Sequence, residues 1–104
     1  MSRFADVLER LTATIASRKG GDPASSWTAR LLADEPLIAR KLLEEAQEAV
    51  EAEGPDHLAA ESADLIYHWL VLLQAKGVSL DAVAAKLETR EGISGIAEKA
   101  SRKT

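Results

Sequence analysis

The chain contains no cysteine. Disulfides, thiolate zinc sites and thiol nucleophiles are excluded together, and the composition fits a reducing compartment. Long hydrophobic runs are missing too: the longest, Leu65 to Leu73, is about half of the 18 or more residues a membrane-spanning helix needs. No apolar segment follows a basic start at the amino terminus, so the expectation is a soluble, unprocessed, cytoplasmic protein with no membrane partner. The glycine- and proline-punctuated stretch Lys19-Gly20-Gly21-Asp22-Pro23-Ala24-Ser25-Ser26 is a loop, but it lacks the order of a phosphate-binding P-loop. No segment alternates as a strand should. Positive charge is also in deficit, with 13 Lys and Arg against 17 Asp and Glu and a net charge of −4, which argues against nucleic acid as a partner.

What is present is helical periodicity. Arg3 to Arg18 carries Phe4, Val7, Leu8, Leu11 and Ile15 at helical spacing. Ser26 or Thr28 caps a short helix through Leu32. Pro36 suits the first turn of a third helix, which is expected to run to Glu53, with Gly54 as the left-handed residue just past its end. Pro55 opens a fourth helix reaching about Lys76, and Gly77 stops it before Ser79 caps a fifth that extends to roughly Glu91. The fold class is therefore all-α, a bundle of about five helices in one domain over residues 1–91. Residues 92–104 are expected to be a basic tail, disordered or docked over something anionic. A chain of 104 residues buries only roughly 65 per cent of its unfolded surface. The fourth helix is apolar almost all round near Leu65 to Leu73, so a homodimer with paired hairpins is expected to cover it.

The chemistry lies in the acids. Lys41, Glu44, Glu45 and Glu48 fall within about one third of a helix circumference, next to an apolar stripe of Ile38, Leu42, Ala46, Ala49 and Val50. Glu61 and Asp64, at i and i+3, share a face of the following helix. An antiparallel hairpin brings the two acidic faces together, where like charges raise one another's pKa unless a divalent ion neutralises them. Carboxylates without thiols select a hard ion such as Mg²⁺, with Mn²⁺ as the alternative. A di-iron bundle would need Glu-x-x-His, which neither helix has. Such a metal suits phosphate esters and anhydrides, with Arg30, Lys41, Arg18 and Lys19 as the cations nearest in sequence. Beside this stands the plainer reading of a solvated acidic face with Lys41 as its ion-pair partner, on a non-catalytic helical dimerisation module. His68 reads as a hydrogen-bonded core residue, Tyr67 and Trp69 as packing or dimer contacts, and His57 has no evident partner.

Three segments carry a resemblance. Ser26-Trp27-Thr28-Ala29-Arg30-Leu31-Leu32, Arg40-Lys41-Leu42-Leu43-Glu44-Glu45-Ala46-Gln47-Glu48, and Glu61-Ser62-Ala63-Asp64 running on through Leu73 resemble the phosphoribosyl-ATP pyrophosphohydrolases of histidine biosynthesis. That family lies within the all-α nucleoside triphosphate pyrophosphohydrolases related to MazG, whose shared pattern is E-E-x-x-E followed by E-x-x-D. The resemblance implies Mg²⁺-dependent cleavage of the α–β anhydride of phosphoribosyl-ATP in a homodimer. It assigns Glu45, Glu48, Glu61 and Asp64 as metal ligands and Glu44 as a further ligand or water-orienting base, Glu44 and Glu45 forming the catalytic pair. Lys41 and Arg30 are implied to contact phosphate, and Ser26, Trp27 and Thr28 to shape the substrate pocket. Leu43 stands where many members have glycine, and Ala49 to Glu53 is more acidic than the family's usual run, which leaves a MazG-like housecleaning activity as the alternative.

Overall fold

A computed structural model describes residues 2–91. Five α-helices follow one another, α1 (Arg3–Ser17), α2 (Trp27–Leu32), α3 (Glu35–Glu51), α4 (Pro55–Lys76) and α5 (Leu80–Glu88), and there is no strand among the described residues. Four of the five starts are capped by a short polar side chain. Ser2, Ser26, Asp34 and Ser79 accept hydrogen bonds from the N–H groups of Phe4, Ala29, Leu37 and Ala82, filling donors that the first turn leaves open. No helix among the described residues is long and apolar enough to cross a membrane.

The hairpin of α3 and α4 is the most closely packed pair, and α1 and α2 both lie against α4. Ile15 of α1, Leu31 of α2, Ile38 of α3 and Leu70 and Val71 of α4 form the buried core. Each of the first four helices therefore contributes to one apolar centre, while α5 has no fully buried residue. The outer faces remain rich in apolar side chains: Leu43 and Val50 of α3 are 73% and 82% exposed, and Leu58 of α4 is 47% exposed.

Three ends differ from the sequence reading. Helix α3 stops at Glu51 rather than Glu53, because Ala52 turns to extended backbone (φ −61°, ψ 141°). Gly54 does not close α3; at φ 86° and ψ 163° it is the residue that leads into α4. Helix α5 ends at Glu88 rather than Glu91, its last turn tightened by a bond from Thr89 Oγ1 to the Lys86 carbonyl and from the Arg90 N–H to the Leu87 carbonyl. The tail expected over 92–104 lies outside the described residues.

The connection between the two acid-bearing helices is thus only residues 52–54, and its sharpness depends on a backbone state that side chains resist. A methyl group at Gly54 would meet nothing within 4 Å, so the cost of adding one is conformational rather than steric. Gly54→Ala is expected to lower stability by about 1–3 kcal/mol, measured by urea denaturation; an unchanged midpoint would show that the connection is not under this constraint.

Candidate metal centre and active site

Helix α3 presents Glu45 and Glu48, and α4 presents Glu61 and Asp64, each pair spaced by three residues so that both members share a face. Because the hairpin folds the two helices against each other, carboxylate oxygens of Glu45, Glu61 and Asp64 come within 4.8 Å of one another. Glu45 is only 8% exposed. Its Oε2 and the Oε2 of Glu61 are buried and have no hydrogen-bond partner. Buried acceptors are rarely left so, and two from adjacent helices aimed into one acidic pocket are what a cation would complete. The donor set is all oxygen, which fits a hard divalent ion.

Glu48 is exposed and lies outside the three converging carboxylates. It nevertheless acts on two of them. Burial pushes the Glu45 carboxyl up to about 7; a hydrogen bond with Glu48 and repulsion from Glu48 and Asp64 add to this, and Lys41 opposes it. Glu61 is raised by the same causes in the same order, desolvation first, then Glu48 and Asp64, with His57 opposing. The fold without metal therefore keeps a proton among these acids near neutral pH.

Glu44, one residue before Glu45, points elsewhere. Its side chain is 58% exposed and meets Lys41 Nζ at 3.5 Å, a surface pair of small energetic weight. The plain reading of an acidic face paired with Lys41 thus describes Glu44, and not Glu45. Leu43 is exposed as well.

Helix α2 carries the remaining residues singled out from sequence. Ser26 Oγ accepts the Ala29 N–H at 3.1 Å and so serves as the helix cap. Thr28 Oγ1 is hydrogen-bonded to the Tyr67 hydroxyl, tying α2 to α4. Trp27 is 42% exposed, and the Arg30 guanidinium sits 5.7 Å from its ring centre, within cation–π range. An aromatic face and a cation are thereby held side by side on one short helix. A recess of about 390 Å³ between α3 and α4 is lined by Leu42, Leu65, Ile66 and Trp69. A second, of about 440 Å³, lies away from the acids, between Glu9 and Thr12 of α1 and the segment from Leu73 to Asp81.

The two histidines part company. His68 is 6% exposed, donates from Nδ1 to the Asp64 carbonyl at 2.8 Å and meets the Tyr67 ring edge-on, in keeping with a core role. His57, for which sequence reasoning named no partner, has two. The Glu53 N–H donates to its Nδ1 at 3.0 Å, and its Nε2 lies 3.6 Å from Glu61 Oε1. The i, i+4 spacing of His57 and Glu61 was the available signal.

The acid cluster makes stability depend on pH in an uncommon direction. Glu45 releases its proton near 4.5 when unfolded and near 7 when folded. Between those values the fold binds a proton that the unfolded chain does not, so stability rises as pH falls through the window, by about 3 kcal/mol at most. The metal-free protein is expected to melt several degrees higher at about pH 5.5 than at about pH 8. Added Mg²⁺ should raise Tm more at the higher pH, because it competes with that proton. A Tm that falls on acidification through this range would contradict the placement of these acids.

A family model described as phosphoribosyl-ATP pyrophosphohydrolase matches residues 8–91. A phosphoribosyl-ATP pyrophosphatase of Caulobacter vibrioides (strain NA1000 / CB15N) is 68% identical over 103 residues, covering 96% of each chain. Those of Caulobacter sp. (strain K31) and Dinoroseobacter shibae are 66% and 60% identical, covering 98% and 92% of this chain and 98% of each relative. With the five carboxylates of the E-E-x-x-E and E-x-x-D pattern on one hairpin and similarity along nearly its whole length, the chain belongs to the phosphoribosyl-ATP pyrophosphohydrolase family.

Proposed function

We propose that this chain hydrolyses phosphoribosyl-ATP to phosphoribosyl-AMP and pyrophosphate, the second step of histidine biosynthesis, with Mg²⁺ held by Glu45, Glu48, Glu61 and Asp64. The observation that carries the reading is the convergence of Glu45, Glu61 and Asp64, with two buried oxygens lacking any partner, in a chain 68% identical to a phosphoribosyl-ATP pyrophosphatase. Glu48 joins the set by a modest side-chain movement, since it already acts on Glu45 and Glu61. Bound there, Mg²⁺ would neutralise the acids and supply Lewis-acid polarisation of the phosphoanhydride.

The chain's own groups supply binding and proton handling. Hydrolysis adds water across the α–β anhydride, so it needs cations for the phosphates and a group that orients water. Lys41 and Arg30 are the cations assigned to phosphate, and Trp27 offers an exposed ring for the base. Ser26 and Thr28 shape the pocket indirectly, through the cap and the tie to Tyr67. The resemblance assigns Glu44 to orient water; its exposed carboxylate is paired with Lys41, so this role requires the pair to open as Lys41 turns to a phosphate. Glu45, the other catalytic acid, stays with the metal.

The exposed apolar residues Leu43, Val50 and Leu58 support a homodimer. Leu43 and Val50 are seven residues apart on α3 and so share a face, and burying such side chains between two copies stabilises each by roughly 1.5–3 kcal/mol. Val50→Glu is expected to weaken the dimer at least tenfold by analytical ultracentrifugation; a wild-type chain that sediments as a monomer at micromolar concentration would remove the dimer from the account.

Pyrophosphate release from phosphoribosyl-ATP, measured against a panel of ordinary nucleoside triphosphates, tests the activity. Turnover should favour phosphoribosyl-ATP and vanish with a chelator. Glu61→Gln should lower kcat by on the order of a hundredfold or more, while Glu88→Gln, at the far end of α5, should stay within about twofold. Equal turnover of common triphosphates would reassign the chain to the housecleaning chemistry, and no turnover at all would favour a non-catalytic helical module.

A further inference from the structure

We propose that His57 is a positioning residue that turns the Glu61 carboxylate so that one of its oxygens faces the acid cluster. The inference rests on the metal-site reading above and adds to it a residue outside the E-x-x-D pattern. His57 lies one turn before Glu61 on α4, and its ring spans from the connection between the acid-bearing helices to one of the acids. On one side the Glu53 backbone N–H donates to Nδ1 at 3.0 Å. Nδ1 is then an acceptor, so the neutral ring carries its hydrogen on Nε2. On the other side Nε2 stands 3.6 Å from Glu61 Oε1, close enough for its N–H dipole to favour that oxygen's position, with a few tenths of an ångström separating it from a hydrogen bond.

The two oxygens of Glu61 are thereby distinguished. Oε1 faces the imidazole, whereas Oε2 is buried and unpartnered. The imidazole itself is not among the atoms that converge with Glu45 and Asp64, so it acts on the site through Glu61. Acids that repel one another would otherwise swing apart, and a fixed donor behind one of them opposes that motion. This is the arrangement by which partners behind a metal-binding carboxylate set its orientation. Since residues 52–54 make the turn of the hairpin, the same ring also couples the shape of that turn to the aim of Glu61.

Mn²⁺ binding, followed by the electron paramagnetic resonance signal of the free ion, tests this without substrate. His57→Ala should weaken Mn²⁺ binding about tenfold, while the metal-free Tm shifts by no more than about 4 °C, as expected for loss of one exposed contact. His57→Gln, whose amide can both accept from Glu53 and donate to Glu61, should return affinity to within about threefold of wild type. If His57→Ala loses structure, His57→Met keeps the bulk without the donor and carries the same expected loss. Wild-type protein that binds Mn²⁺ together with a donor-less variant that binds it within twofold would overturn the role of His57 alone. Wild-type protein that binds no Mn²⁺ would overturn the metal site itself.

Discussion

Mutual repulsion among carboxylates is the constraint on which the rest of this structure depends. Three acids from two helices approach within 4.8 Å with almost no water around Glu45, an arrangement that low local dielectric makes costly. Without a cation the molecule relieves it by keeping a proton, which is why Glu45 is pushed up to about 7. A proton shared with Glu48 removes one charge but leaves the repulsion among the other carboxylates, and no donor from elsewhere in the described fold reaches the buried oxygens of Glu45 and Glu61. A divalent ion would answer both, and a polyanionic substrate then gains a place on an acidic protein.

The remaining parts of the fold hold this arrangement closed. Ile38 on α3 and Leu70 and Val71 on α4 are fully or almost fully buried, fastening together the helices that bear the acids. Gly54 allows the abrupt turn between them, and Asp34 and Pro36 set where α3 begins. Helix α2 is bound to α4 by Thr28 and Tyr67, and the Tyr67 ring abuts His68, which donates to the backbone of Asp64. A continuous set of contacts therefore runs from the helix that carries Trp27 and Arg30 to an acid of the candidate metal centre.

Much of this is legible in the residues because it is governed by helical periodicity. Spacings of three on α3 and α4, a Gly-Pro pair between them and serines before α2 and α5 are enough to give the hairpin and the meeting of Glu45, Glu61 and Asp64. What was not legible depends on distances shorter than a helical turn. Glu44 and Glu45 are adjacent in sequence, yet 100° of rotation sends one to Lys41 at the surface and the other into the interior. Glu48 shares the face of Glu45 and acts on it and on Glu61, yet is exposed and lies outside the converging three. The early end of α3 and the role of Gly54 lie in the backbone angles of residues 52–54, beside which the Glu53 N–H bonds to His57, a loop-to-helix contact that no repeat in the sequence announces. The close of α5 is likewise local, made by Thr89 folding back on Lys86.

The central claim is that the hairpin's acids form one electrostatically incomplete pocket that a divalent cation enters. Anomalous scattering from a crystal soaked in Mn²⁺ tests it most directly. A peak is expected at about 2.1–2.3 Å from carboxylate oxygens of Glu45, Glu61 and Asp64, with Glu48 drawn in toward it. Anomalous density confined to other surfaces, with these side chains still apart and unbridged, would contradict it.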